Sequence, residues 1–269
     1  MQRAASTLSL PVTLVVLGAA LSYTFFWKRL FRVVPQETSP WRLASFVFGL
    51  LVVWTALGSP LSSMDHHRLS FHMVQHLLLM NLAAPLLLLG APLTVFAQGV
   101  PRGVLVSLRQ NPPAAIGRFL THPLVTWLFA AGVVVGWHIP RVLELTFLSP
   151  GWHAVQHASF LLAGLLFWWP VVLPWPAEPV WPRWAVPLYL FLATLPCDVL
   201  SAFLAFSGRV VYPHYAAQAG GGVSALADQA AAGALMWCAV TVGYLLPAIF
   251  ITLALLSPKR AAFRPEAAG

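Results

Sequence analysis

Long apolar stretches dominate this sequence of 269 residues, and short clusters of charged residues, proline and glycine separate them. Hydrophobic residues make up 59% of the chain and charged residues only 8%, whereas a soluble domain carries roughly 25% charge. A helix that spans a bilayer needs about 20 residues. Stretches suited to this role cover residues 10–27, 41–57, 69–97, 123–137, 152–173, 185–206 and 226–256. The pattern predicts an all-α, polytopic membrane protein that forms a bundle of seven transmembrane helices in the lipid bilayer.

Seven spans use most of the chain and leave too little of it for an additional folded domain. We therefore expect a single transmembrane domain over residues 1–257 and a short basic cytoplasmic tail over residues 258–269. The third and seventh stretches are longer than one span requires, and they contain Pro85, Pro92 and Pro247. These prolines predict kinks, because neighbouring helices in a membrane protein can satisfy the freed backbone groups.

The basic residues are distributed unevenly between the loops of the predicted bundle. Eleven of the 15 Lys and Arg residues fall on one set of alternate loops and tails, and four fall on the other. Since basic loops stay in the cytoplasm, this asymmetry predicts that the N-terminus is outside and the C-terminus inside. The net charge of +8 is scattered and does not form one stripe, so nucleic acid is not an expected partner.

Eight of the nine histidines lie on the predicted outer side, and only His122 lies at the cytoplasmic boundary. This sorting indicates a metal or cofactor site near the outer face. The two cysteines both fall inside apolar stretches, which excludes a disulfide framework. The eight outer histidines are His66, His67, His72, His76, His138, His153, His157 and His214.

Two pairs of histidines share one spacing and one local sequence. His72 and His76 are four residues apart, as are His153 and His157, and each pair forms the ends of a His-x-Val-Gln-His motif. Residues four apart share one face of a helix, and both motifs lie at the outer start of a predicted helix. We therefore expect the two pairs to face each other across the bundle and to bind a metal that suits imidazole, namely copper, zinc, iron or nickel.

Methionine favours copper among these metals. Four of the five methionines lie on or near the outer half, and Met80 extends the face of His72 and His76 by one more turn. Thioethers favour Cu(I), so the expected metal is copper, in the Cu(I) state, with zinc as the alternative. The candidate metal ligands are His72, His76, His153, His157, Asp198, Met80 and His138.

Asp198 lies well inside the sixth predicted span, where an ionised carboxylate needs a partner. We expect His76 or His157 to be that partner. Asp198 would then orient a ligating imidazole, bind the metal directly, or clamp two helices through a hydrogen bond. Asp228 opens the seventh predicted helix, and its position predicts that it caps this helix.

Several further short sequence motifs occur together with the histidine pairs. They are residues 71–80 (Phe-His-Met-Val-Gln-His-Leu-Leu-Leu-Met), 89–92 (Leu-Gly-Ala-Pro), 156–157 (Gln-His), 167–170 (Phe-Trp-Trp-Pro), Pro196-x-Asp198, Tyr212-Pro213-x-Tyr215, 226–229 (Leu-Ala-Asp-Gln), Gly233 and 236–237 (Met-Trp). In these motifs the chain resembles the CtaG-like, multi-span cytochrome c oxidase assembly factors of bacteria. The resemblance runs from about residue 41 to residue 256.

The resemblance implies a multi-pass protein of the bacterial inner membrane that takes part in the maturation of haem-copper oxidases. Its implied partners are a haem-copper oxidase subunit and periplasmic copper chaperones. A single-span copper chaperone shares the CtaG name, but the present sequence lacks the cysteine pair of that protein.

We interpret the chain as a copper metallochaperone, not an enzyme, that binds copper near the periplasmic face and supports its insertion into the oxidase. Two alternatives remain open. An intramembrane zinc-dependent hydrolase would use His and Asp around a metal-activated water, and a b-type haem membrane protein would use two histidines as axial ligands.

Overall fold

The computed structural model describes residues 8–34, 38–100, 103, 117, 119–173, 181–217 and 223–257. All regular secondary structure in these ranges is helical. A π-helical segment, Leu78–Ala83, joins α3 to α4. The described α-helices are α1 (Leu10–Val33), α2 (Pro40–Leu57), α3 (Leu69–Leu77), α4 (Ala84–Leu89), α5 (Pro92–Phe96), α6 (Pro123–His138), α7 (Pro140–Leu148), α8 (Pro150–Val172), α9 (Ala185–Phe206), α10 (Pro213–Ala217) and α11 (Ala225–Leu256).

The number of membrane-spanning segments agrees with the sequence prediction only in part. Helices α6 and α7 add a seventh span if the two together form one, but they meet at an angle of 75°. The structure therefore confirms an all-helical protein with six or seven candidate spans. The six helical segments that are each long and apolar enough to cross a membrane are Leu10–Val33, Pro40–Ser63, Leu69–Leu89, Pro150–Val172, Ala185–Phe206 and Ala225–Leu256.

The bend between α6 and α7 follows from a proline. Pro140 disfavours helical geometry in the residue before it, and Ile139 has φ −68° and ψ 121°, which is extended backbone. The helix that begins at Pro123 therefore ends at His138. As a result, His138 lies at a helix end beside a sharp change of direction.

The third predicted span is shorter than residues 69–97. It ends at Leu89, because Ala91 takes a left-handed conformation with φ 48° and Pro92 starts a separate short helix. Within the span, the backbone N–H of Ala84 bonds to the carbonyl of Leu79, five residues earlier. This wider turn precedes Pro85, which has no N–H to donate.

The π-helical segment is held by a side chain from α8. The indole Nε1 of Trp168 donates a hydrogen bond to the carbonyl oxygen of Met80 at 3.1 Å. A carbonyl at an irregular turn inside a membrane needs such a partner. This contact ties α8 to the segment that carries Met80. Turns of this kind occur often at functional sites.

Two glycines set the closest approaches between helices. A Cβ at Gly164 on α8 would lie 2.8 Å from the carbonyl oxygen of Met80, and one at Gly233 on α11 would lie 2.8 Å from the carbonyl oxygen of Ser201 on α9. Small residues permit such contacts between membrane helices. These glycines bring the π-helical segment against α8, and α9 against α11.

The outward faces of the described helices are apolar. Leu21 on α1, Val199 on α9 and Phe250 on α11 are all largely exposed, as expected of side chains that contact lipid. The predicted tail, residues 258–269, lies outside the described residues. The side of the membrane on which each terminus lies stays a prediction.

Candidate metal centre

Five imidazole rings meet at one end of the helix bundle. The rings of His72 and His76 lie 4.3 Å apart between centroids, and the same distance separates His153 and His157. Between the pairs, His72 lies 6.0 Å from His153 and His76 lies 5.7 Å from His157. The two pairs thus face each other, as their spacing predicts, and His66 joins them at 5.1 Å from His153.

Asp228 holds the start of α3, the helix that carries the first pair. Its carboxylate accepts hydrogen bonds from the backbone N–H of Leu69 at 2.7 Å and the hydroxyl of Ser70 at 2.5 Å. The expectation that Asp228 caps its own helix is wrong, because Ser224 fills that role by accepting from the N–H of Ala227. Asp228 instead satisfies free N–H groups of a neighbouring helix.

Asp65 is a central member of the site, and the sequence analysis did not identify it. This residue is fully buried, and its Oδ2 lies 3.1 Å from Nε2 of His153. One ligand atom each from Asp65, His153 and His157 all lie within 4.8 Å of one another, the one such group in the part of the chain that the structure describes. Two ligands around a tetrahedral metal lie roughly 3.3 Å apart, so this spacing suits a metal ion.

The polar atoms of the site lack other partners. Both oxygens of Asp65, both ring nitrogens of His72 and of His76, and Nε2 of His153 are buried without a hydrogen bond among the described residues. The Asp65–His153 contact is short but is not aligned as a hydrogen bond. Buried polar groups are normally paired, and a bound metal ion would satisfy carboxylate oxygens and lone-pair nitrogens of this set.

Hydrogen bonding determines which nitrogen of His157 is free to bind a metal. The amide nitrogen of Gln75 donates to the carbonyl oxygen of Ala56 at 3.1 Å, so the amide oxygen is the atom that faces His157. This oxygen lies 3.3 Å from Nε2 of His157 and can only accept, which requires that Nε2 carries the proton. Nδ1 therefore keeps the lone pair, and Gln75 orients a ligand on the opposite helix.

The charge of Asp65 suits a role as a ligand. Burial raises the pKa of its carboxyl group, but the contact with His153 and the nearby imidazoles of His66 and His72 lower it more, so the net pKa lies below the usual value. The carboxylate is thus anionic and offsets part of the charge of a bound cation. We name Asp65, His66, His72, His153 and His157 the carboxylate cluster.

A short segment before α11 covers the carboxylate cluster. The hydroxyl of Tyr215 donates to the carbonyl oxygen of Asp65 at 3.0 Å, and Nε2 of His214 donates to that of His66 at 3.0 Å. The ring of His214 stacks on Phe147 with centroids 3.6 Å apart. These contacts hold the loop that carries Asp65 against the bundle.

Two of the predicted ligands lie deeper than the carboxylate cluster. His138 and Met80 line a separate small cavity together with His76. The structure therefore divides the predicted ligands between two neighbouring places, with His76 at the boundary.

Asp198 does not join the histidines. It is half-buried on α9, and its carboxylate makes no ion pair with His76 or His157, so its role as a metal ligand stays a prediction. One carboxylate oxygen of Asp198 is buried without a hydrogen bond among the described residues. Asp65 is the carboxylate that lies beside the histidines.

The Ala-Asp-Gln motif at the start of α11 holds neighbouring segments together through hydrogen bonds. Its Gln229 accepts a hydrogen bond from the N–H of Val211 at 2.7 Å and donates to Leu204, Ser207 and Arg209. Together with the cap by Asp228, these bonds place α11 and the covering segment around the site.

The fold and the site define a class, namely polytopic helical proteins with a buried carboxylate and imidazole cluster at one end of the bundle. The chain belongs to the cytochrome c oxidase caa3 assembly factor family (Caa3_CtaG), whose model matches residues 21–257. This match confirms the resemblance seen in the sequence, and the family is described as one of cytochrome c oxidase assembly factors.

Two curated relatives also match the chain. Uncharacterized proteins of Mycobacterium bovis and Mycobacterium tuberculosis are each 26% identical over 233 residues, which cover 80% of this chain and 33% of the relative. The chain thus spans one third of the length of these relatives. No solved structure matches it significantly.

Proposed function

We propose that this protein binds copper in the carboxylate cluster and supports its insertion into a haem-copper oxidase subunit. The observation that carries the proposal is the convergence of Asp65, His153 and His157, where both carboxylate oxygens of Asp65 and Nε2 of His153 are buried without a hydrogen bond among the described residues. Copper is cargo in this proposal, and the protein is not an enzyme. Membership in an oxidase assembly family supports the choice of cargo.

The donor set is compatible with copper but does not select it. Imidazole nitrogen and carboxylate oxygen also suit zinc, iron and nickel. Copper is favoured because the oxidases that such factors help to assemble contain it, and because methionines line the neighbouring cavity that His76 also borders. Zinc is the alternative metal.

A periplasmic position of the cluster follows from the charge asymmetry of the loops. Lys28, Arg29, Arg32, Arg42 and Arg183 are assigned to the cytoplasmic side by the positive-inside rule. The carboxylate cluster lies at the other ends of the helices, where periplasmic copper chaperones of the bacterial cell would reach it.

Reporter fusions test this orientation. Alkaline phosphatase is active only in the periplasm, so a fusion after Gly269 should be inactive, whereas green fluorescent protein at the same place should fluoresce. The reverse pattern would place the cluster in the cytoplasm and contradict periplasmic loading.

Replacing His72 and His76 together with Ala tests the assembly role. We expect normal levels of the variant in the membrane, a several-fold lower oxidase activity at limiting copper, and partial recovery with added copper, because two imidazoles are lost. His122→Ala is the matched control, since His122 lies at the other boundary beside Trp181 and should leave oxidase activity unchanged. Normal oxidase activity in the double variant at limiting copper would contradict the proposal.

One observation favours a second candidate function. Two imidazoles and one carboxylate, as offered by His153, His157 and Asp65, form the ligand set of several catalytic zinc sites. An intramembrane zinc hydrolase would bind zinc in preference to copper and turn over a lipid amide or ester. Metal analysis with a lipid hydrolysis assay separates the two functions, and a Soret band in the purified protein would indicate the b-type haem alternative.

A further inference from the structure

We infer that the chain has a second metal site, which binds Cu(I) through imidazole and thioether ligands, deeper in the bundle than the carboxylate cluster. This inference rests on the proposed copper-handling function. The site is a small cavity that we name the methionine cavity. Its chemically distinctive lining residues are Met73, His76, Met80, His138, Cys197 and Met236.

The composition of this cavity is unusual for the chain. The sequence has only five methionines, and three of them, all buried, surround one space of about 20 Å³. That volume accommodates one water molecule and hence one metal ion of similar size. Methionine often fills gaps in a core, but gap filling does not explain why the same space is bordered by two imidazoles that each have a buried ring nitrogen without a hydrogen bond among the described residues.

The protonation of His138 is set by its backbone contact. Nδ1 of His138 lies 2.6 Å from the carbonyl oxygen of Val134, which can only accept, so Nδ1 carries the proton. Nε2 therefore keeps its lone pair, and this atom is buried without a hydrogen bond. A backbone carbonyl that fixes the tautomer in this way is typical of metal-binding histidines.

His76 connects the methionine cavity to the carboxylate cluster. Both of its ring nitrogens are buried without a partner, and its ring stacks on Phe160 with centroids 4.0 Å apart. It lies 4.3 Å from His72 and 5.7 Å from His157 between ring centroids. A copper ion could thus exchange ligands from one site to the other without a change of oxidation state.

The charge of the methionine cavity favours a monovalent ion. The described residues that line it include no carboxylate, whereas the carboxylate cluster contains Asp65. Burying a charge without an opposite charge is costly, and the cost is greater for a divalent ion than for a monovalent one. Thioethers also favour Cu(I), so the methionine cavity takes Cu(I) and not a divalent ion, whereas the carboxylate cluster can hold either Cu(I) or a divalent ion.

The test uses the full chain purified in mild detergent without oxygen. Wild-type protein should bind two equivalents of Cu(I), and X-ray absorption should show sulfur neighbours around copper. Ag(I), a redox-inert analogue of Cu(I), should also bind. In the double variant Met80→Leu/Met236→Leu, the sulfur signal should fall and the binding of one equivalent of Cu(I) should weaken by roughly 10-fold or more, a loss of the size seen when metal sites lose a contributing residue.

Three controls separate this inference from the proposed function. Leu nearly conserves the volume of Met, so the double variant should fold and should bind Zn(II) as tightly as wild type. Met64→Leu changes an exposed methionine and should alter nothing. Asp65→Asn should weaken Zn(II) binding and leave the sulfur-ligated copper in place.

Each outcome supports or overturns one of the two proposed metal sites. Copper without sulfur neighbours in the wild-type protein would overturn the methionine cavity as a metal site, and this result does not depend on how well a variant folds. Unchanged Cu(I) stoichiometry and affinity in the double variant would do the same. Sulfur-ligated copper that persists while Asp65→Asn leaves all metal binding unchanged would support the cavity and contradict the carboxylate cluster.

Discussion

Replacing Asp65 with Asn should weaken metal binding at the carboxylate cluster by about 100-fold or more, beyond the roughly 10- to 100-fold loss typical of a residue that only orients a ligand. Asp65 is fully buried and lies 3.1 Å from His153. The amide keeps the shape of the carboxylate but loses its negative charge, so the charge of a bound cation is no longer offset. Chelator competition on purified protein, with copper and with zinc, measures the effect.

The same substitution at Asp198 is the matched control. Both residues are aspartates, but of the two only Asp65 makes ion pairs with histidines in the part of the chain that the structure describes. Asp198→Asn should leave the metal affinity within about threefold of wild type, far from the 10- to 100-fold losses at metal sites. A large loss for Asp198→Asn together with normal binding by Asp65→Asn would restore the carboxylate that the sequence predicted.

His153→Ala and His157→Ala should each weaken metal binding by about as much as Asp65→Asn, and the double variant should be little worse than either one. Ligands of one ion act as a unit, so their losses do not add. The ligand atoms of both histidines lie within 4.8 Å of each other and of Asp65. A double-mutant cycle with affinities from chelator competition gives the coupling between them.

A second double-mutant cycle, between His157 and His138, provides a comparison in which no coupling is expected. His138 lines the methionine cavity and not the carboxylate cluster, so its loss and that of His157 should add when Cu(I) binding to both sites is measured. Independent, additive losses at His153 and His157 would mean that these two histidines serve separate sites.

The arrangement of the helices could be predicted from the sequence wherever local rules decide. Long apolar stretches placed α2, α9 and α11 within a few residues of their observed bounds. Kinks at Pro85 and Pro92 were expected, but the end of the span at Leu89 and the 75° bend after His138 were not. Both depend on how a proline is accommodated by the surrounding helices, which the sequence alone does not give.

Part of the site was also visible in the sequence. The i, i+4 spacing placed His72 with His76 and His153 with His157 on common faces, and a distance of 6.0 Å between His72 and His153 shows that these faces meet. Asp65 was missed because it lies in a loop and reaches the site only when the loop folds over the helix ends. Its position beside His66 was the one available signal.

The sequence by itself determined the class of structure and the residue types of the site, because apolar length and helical periodicity are local properties. Only the tertiary structure decided which carboxylate joins the histidines, which helix Asp228 caps, and that His76 borders two sites. Each of these depends on contacts between residues far apart in the chain, such as Asp228 with Leu69. The directions of side chains at such contacts follow from helix packing, which no local pattern encodes.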